Sequence, residues 1–345
     1  MARLTTILAA FGILVAGAAS AQAPRAAHGL DLPASFRGVL PCADCPGIRM
    51  QLDLWPDQSF HLRRAYLERG VEADTGRWHF DPWAQAVVLP LGGSEIVFAV
   101  AGEARLRMLD RAREPIDSAL PYELAGGPLE PAEIELRLAG TMRYMADAGL
   151  FTDCASGRAY PMAMEEAFAE VERAYLDAVG TPPDPLLMEI EARIAMRPGM
   201  DARPAEPHVI PLGLVAVRAG KFCPPRPGPD LAGTVWRLVR LGAAAVEPVA
   251  DREEPHLVLA PDEARYAATV GCNRMLGEVE TGDGTISFGQ GASTLMACPP
   301  PLDALERDFA AMLPRAARWE IEGRGLTLRD EGGAALAQFE AAYAP

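Results

Sequence analysis

The chain has 345 residues, enough for two or three domains, and its 47 acidic against 32 basic side chains give a net charge of −15. Such a charge argues against nucleic acid and against anionic membrane surfaces as partners, because the field of the whole chain repels both. Six cysteines in 345 residues are an even set, and their meaning depends on the compartment.

The first segment sets that compartment. Arg3 supplies a positive start, residues 7–19 an apolar run, and Ala19-Ser20-Ala21 a small-residue cleavage site. Residues 1–21 therefore read as a signal peptide with the mature chain beginning at Gln22. No cysteine lies near the cleavage point, so the expectation is an exported periplasmic protein without a lipid anchor. No second long apolar run occurs, which excludes a stable transmembrane helix from the expectation.

Residues 33–127 alternate in the β manner. Met50-Gln-Leu-Asp-Leu54, His61-Leu-Arg-Arg-Ala-Tyr66 and Glu95-Ile-Val-Phe-Ala-Val100 each place apolar side chains at every second position, and turns such as Pro56-Asp-Gln58 and Leu91-Gly-Gly93 separate them. Several short antiparallel strands predict a small barrel or half-barrel. Cys42-Ala-Asp-Cys45, flanked by Pro41 and Pro46, falls between two of these runs. Outside the cytoplasm such a pair is a structural disulfide, a redox-sensitive pair or a copper(I) grip, and the sequence leaves all three open. Met50 and His61 would join a metal only if the fold brought them over. A thioredoxin-like catalyst is disfavoured, because β alternation rather than a helix follows Pro46-Gly47.

Residues 128–138 connect to a second module, 139–223. Gly140 to Phe151 predicts two strands joined at a turn, and residues 165–178 a helix with apolar side chains at spacings of three and four. Two more strands follow, from Leu186 and from Val209. Strand, hairpin, helix and two strands are compatible with an OB-like barrel. A proline-rich linker, 224–230, precedes a third module, 231–342, with short strands and one helix over 303–312.

The cysteines fall into three local couples: Cys42 with Cys45, Cys154 with Cys223, and Cys272 with Cys298. Each couple lies inside one module, and an even count in an exported chain favours three disulfides. No catalytic constellation is legible. His28, His61, His79, His208 and His256 are scattered without H-E-x-x-H spacing, and no G-x-S-x-G elbow occurs. Trp55, Trp78, Trp83, Trp236 and Trp319 read as core residues rather than a ligand cage, and Asn273 as a turn former.

Gly38-Val-Leu-Pro-Cys-Ala-Asp-Cys-Pro-Gly-Ile48 followed by Gln51-Leu-Asp-Leu-Trp55 resembles the opening of the NlpE copper-homeostasis family. That resemblance implies a lipocalin-like N-terminal barrel and an OB-fold second domain. In the third module, Gly271-Cys-Asn-Arg-Met-Leu-Gly277 and Thr294-Leu-Met-Ala-Cys-Pro299 resemble the META domain of the HslJ envelope and heat-shock-linked family, which implies a mixed α/β domain. The fold expectation is thus mostly β with α+β elements. The functional expectation is a non-enzymatic envelope protein in stress response and copper homeostasis, with Cys42 and Cys45 as the responsive pair, copper(I) as the one candidate cofactor, and envelope proteins of unspecified identity as partners. The competing expectation is a small-molecule or lipid carrier that uses the N-terminal barrel.

Overall fold

The computed structural model describes residues 23–179, 184–199 and 203–344; the segment 1–21, expected to be a signal peptide, lies outside the described residues. The fold is mostly β, in three sheets that follow one another along the chain. The first sheet contains β1 (Ala34–Leu40), β2 (Ile48–Leu54), β3 (Ser59–Tyr66), β4 (Gly70–Arg77), β5 (His79–Asp81), β6 (Ala86–Leu91), β7 (Ser94–Val100), β8 (Arg105–Met108) and β9 (Glu123–Pro128). Their order, 4-3-2-1-9-8-7-6-5, sets the first strand beside the last, and every pair is antiparallel. The sheet rolls so that its two edges, β4 and β5, are neighbours in sequence and join at Trp78. Period-two patterning turns Met50, Leu52 and Leu54 inward. Phe36, Phe60, Leu62, Phe98 and Leu106 fill the interior with no exposed surface. The barrel is therefore plugged by its own side chains, which speaks against the carrier reading.

The second sheet runs 12-11-10-13-14, from β10 (Ile134–Met145), β11 (Ala148–Asp153), β12 (Ala159–Pro161), β13 (Leu186–Arg197) and β14 (Glu206–Val217). A bridge from Met162 to Val209 brings the end of β12 onto β14, which closes the barrel. Helix α1 (Phe168–Ala178) buries Phe168, Val171 and Tyr175 against it. The helix begins three residues later than the sequence expectation, because residues 165–167 form a turn in which the Phe168 N–H donates to the Glu165 carbonyl. The polypeptide between the first two modules is anchored rather than loose. The Ala132 N–H donates to buried Asp53 at 2.8 Å, and the Glu130 carbonyl accepts from Arg37 and Gln51 at 2.8 Å each.

The third sheet is built from β15 (Val235–Leu241), β16 (Ala244–Ala245), β17 (His256–Leu259), β18 (Arg265–Thr269), β19 (Arg274–Gly282), β20 (Thr285–Ser293), β21 (Arg318–Glu322), β22 (Gly325–Arg329) and β23 (Ala335–Ala342). Pairing of β15 with β23 closes it, and α2 (Leu302–Met312) buries Leu302, Phe309 and Met312.

The proline-rich linker predicts a third module independent of the rest, and the structure differs. Val235 and Val258 of the third module belong to the core cluster of the first barrel, and Ala342 and Tyr343 pack against it. The N-terminal segment is shared too: the Arg25 N–H donates to the Arg252 carbonyl and the Glu254 N–H to the Arg25 carbonyl. At the C-terminal end, the Phe80 N–H donates to the Tyr343 carbonyl and Gln58 Nε2 to the Ala344 carbonyl. The linker itself is tied back to the second module, where Arg226 Nη2 donates to the Ser156 carbonyl at 3.1 Å. Contacts far apart in sequence carry this docking, and periodicity contains no information about them.

Candidate functional site

Cys42 and Cys45 lie in the turn between β1 and β2, at the open end of a hairpin whose register closes with Leu40 opposite Ile48. They are bonded to each other and half-buried. Gly47 is required here by close approach: a Cβ at that position would lie 2.9 Å from Val39 Cγ1. Asp44, exposed between the cysteines, has an oxygen 3.5 Å from Cys42 Sγ. Its other oxygen pairs with Arg69 at 2.7 Å, and Arg69 also donates to the Asp44 carbonyl at 2.5 Å. Two sulfurs and a carboxylate thus lie within 4.8 Å of one another, with the carboxylate already neutralised. Neither Met50 nor His61 is brought to this turn. Met50 is in the barrel core. His61 is five residues along β3 from Tyr66, which pairs with Ile48, so it lies roughly 17 Å down the strand.

Cys154, just after β11, is bonded to Cys223, in the loop that follows β14. The Cys154 N–H donates to the Ala139 carbonyl, which holds one end of this bridge on β10. Cys272, before β19, is bonded to Cys298, before α2. Asn273 does more than form a turn. Only 3 % exposed, it accepts on Oδ1 from the Thr294 hydroxyl and the Met296 N–H, both at 2.8 Å, and donates from Nδ2 to the Met296 carbonyl at 3.1 Å and to Glu306 at 2.9 Å. It organises the whole loop that leads to Cys298.

Two aromatic seams between modules have no motif in the sequence. At the first, His61 Nε2 meets Tyr160 Oη at 2.9 Å, and the Arg158 guanidinium lies 4.5 Å above the Trp55 ring. Burial, aided by the Arg158 charge, lowers the His61 pKa to about 3. At the second, Trp78 stacks on Tyr343 with centroids 5.9 Å apart, and His28 approaches Tyr343 edge-on at 4.6 Å. Burial lowers the His28 pKa to about 4. Glu254 accepts from the Tyr343 hydroxyl at 2.9 Å and from the Ala27 N–H at 2.9 Å.

These seams predict a pH dependence. Both imidazoles stay neutral in the folded chain at pH values where an unfolded histidine, with a pKa of 6.5, already takes a proton. The unfolded state then binds more protons, so stability is full above about pH 6.5 and falls as pH drops toward 4. Thermal melts across that range should show the decline, and His61→Gln should make it shallower. An unchanged slope in the variant would exclude His61 as a source.

A plugged barrel with a disulfide turn on its rim, followed by an OB-type barrel and a closed α/β module, defines a class of multidomain, disulfide-bonded β proteins. The family models agree with that architecture: NlpE N-terminal domain over residues 36–119, NlpE C-terminal OB domain over 133–224 and META domain over 229–343. The chain belongs to the NlpE family. It is 34 % identical over 197 residues to lipoprotein NlpE of Escherichia coli K12, which spans 56 % of this chain and 79 % of that protein. The crystal structure of the Escherichia coli Cpx pathway activator NlpE is 33 % identical, covering 56 % of this chain and 98 % of that one, with a TM-score of 0.26. A Shewanella oneidensis protein of known structure is 34 % identical, covering 29 % of this chain and 92 % of that one, also with a TM-score of 0.26.

Proposed function

We propose that this chain is an exported, non-enzymatic envelope protein that reports redox and copper stress through Cys42 and Cys45. One observation carries the reading: the half-buried Cys42–Cys45 bond lies on an open rim and closes a span of only three residues, while the strands on either side are held by a complete ladder. Opening so small a loop costs about 2 kcal/mol on the chain-entropy formula, so the pair can change state while the barrel persists. Two thiolates are the ligands that copper(I), a soft ion, selects. The Escherichia coli relative is described as a Cpx pathway activator, which supports a signalling role with envelope proteins as partners. Among the described residues no helix is long and apolar enough to cross a membrane, and the reading places the exported chain in the periplasm.

The test is the double replacement Cys42→Ser/Cys45→Ser. Copper(I) titration of the parent reduced only as far as the Cys42–Cys45 bond, with the other two disulfides intact, should show binding that the variant lacks, with variant stability within about 2 kcal/mol of the parent. A variant that unfolds outright, or one that binds copper(I) as the parent does, would defeat the proposal.

A further inference from the structure

Glu306 occupies an unusual place for a carboxylate. It lies four residues after Leu302 and three before Phe309, both buried, so it falls on the inward stripe of α2. A charge on that stripe calls for a partner. Among the described residues Glu306 forms no ion pair; it is held instead by Asn273, whose backbone N–H donates to Oε2 at 3.1 Å and whose Nδ2 donates to Oε1 at 2.9 Å. This grip aims Oε2 at Cys298 Sγ, 3.4 Å away, and the two cysteine sulfurs and a Glu306 oxygen all lie within 4.8 Å of one another.

We propose that Cys272, Cys298 and Glu306 form a zinc(II) site when their disulfide is reduced. The electrons come from a dithiol reductant. Its thiolate attacks one sulfur, the Cys272–Cys298 bond breaks, and the reductant's second thiol closes its own disulfide, leaving two cysteine thiols. Zinc binding displaces their two protons. Without the cation, two thiolates and a carboxylate would crowd like charge into one small volume, a repulsion that a divalent ion reverses.

The spacing fits. Zinc–sulfur bonds of about 2.3 Å and zinc–oxygen bonds of about 2.0 Å at a tetrahedral angle place sulfur and oxygen about 3.5 Å apart, against 3.4 Å for Cys298 and Glu306. Asn273 Nδ2 also donates to Cys298 Sγ at 3.1 Å, so one amide orients two of the three ligands, as the outer partners of metal sites do. Three protein ligands leave a fourth position for water. Residues 289–297 beside the site are all exposed and provide an approach from solvent. At the N-terminal pair the equivalent carboxylate, Asp44, is exposed and its charge is already offset by Arg69, whereas Glu306 forms no ion pair among the described residues. A half-buried carboxylate with no cationic partner beside the two sulfurs is what directs the third-module site to a borderline divalent ion rather than to copper(I). The inference stands independently of the reading given to Cys42 and Cys45.

The experiment uses the full chain with Cys42→Ser/Cys45→Ser, reduced with a phosphine in the absence of oxygen. One equivalent of zinc(II) should shield Cys272 and Cys298, read site by site, from alkylation, and cobalt(II) should give a thiolate-to-metal charge-transfer band. Glu306→Gln, which retains the shape of the side chain, should weaken zinc binding at least tenfold. Alkylation of Cys272 and Cys298 that zinc leaves unchanged, protection that falls on Cys154 and Cys223 instead, or equal zinc affinity in Glu306→Gln would each overturn the site. Should Glu306→Gln fail to fold, the parent decides alone: no thiolate-to-cobalt band means no site.

Discussion

Replacing Trp78 by alanine should destabilise the N-terminal barrel and the META module together, by about 3–5 kcal/mol, the usual cost of truncating a fully buried aromatic. Trp78 has no exposed surface, joins the two edge strands of the barrel, donates from its indole to the Trp55 carbonyl at 3.1 Å and stacks on Tyr343 of the third module. Its loss opens a cavity at the point where the core of one module continues into the next. Hydrogen exchange should report lowered protection in β1–β9 and in β15 and β23, while β10–β14 keep theirs. Loss of protection confined to the barrel would show that the shared core does not couple the two.

Cys223→Ser should have the second largest effect and a different distribution. The bond to Cys154 spans 69 residues, and the chain-entropy formula assigns such a loop about 4 kcal/mol. Removing it should lower the melting temperature of the OB domain and release the linker that follows, whose remaining hold on that domain includes Arg226 on the Ser156 carbonyl. Barrel and META module should melt as before, because their shared core lies elsewhere. A barrel that melts with the OB domain would mean that the His61–Tyr160 seam transmits the loss.

Strand patterning was largely legible in the chain. Met50-Gln-Leu-Asp-Leu54 alternates as a barrel strand should, and the structure buries Met50, Leu52 and Leu54 together. The same segment shows where such reading stops. Asp53, on the outward side, reads as solvated, yet it has no exposed surface because residues 129–132 cross over it and the Ala132 N–H binds its carboxylate. The seams were invisible for a related reason. His61 and Tyr160 are 99 residues apart, and His28 meets Tyr343 across almost all of the described residues. A single aromatic contact leaves no repeat to detect. Glu306 did leave a signal, a charge on the apolar stripe of a predicted helix, but its meaning required knowing that Cys298 Sγ lies 3.4 Å from its carboxylate.

The order in which the three disulfides open tests the central claim most directly. Native protein is exposed to stepwise increases of a mild thiol, with and without copper(I), and each cysteine is scored by alkylation and mass spectrometry. Cys42 and Cys45 should label first, while Cys154, Cys223, Cys272 and Cys298 stay protected and the barrel stays folded, and copper(I) should abolish the labelling of that first pair alone. Opening of Cys154–Cys223 or Cys272–Cys298 ahead of Cys42–Cys45, or labelling of Cys42 and Cys45 that copper(I) leaves untouched, would contradict the account.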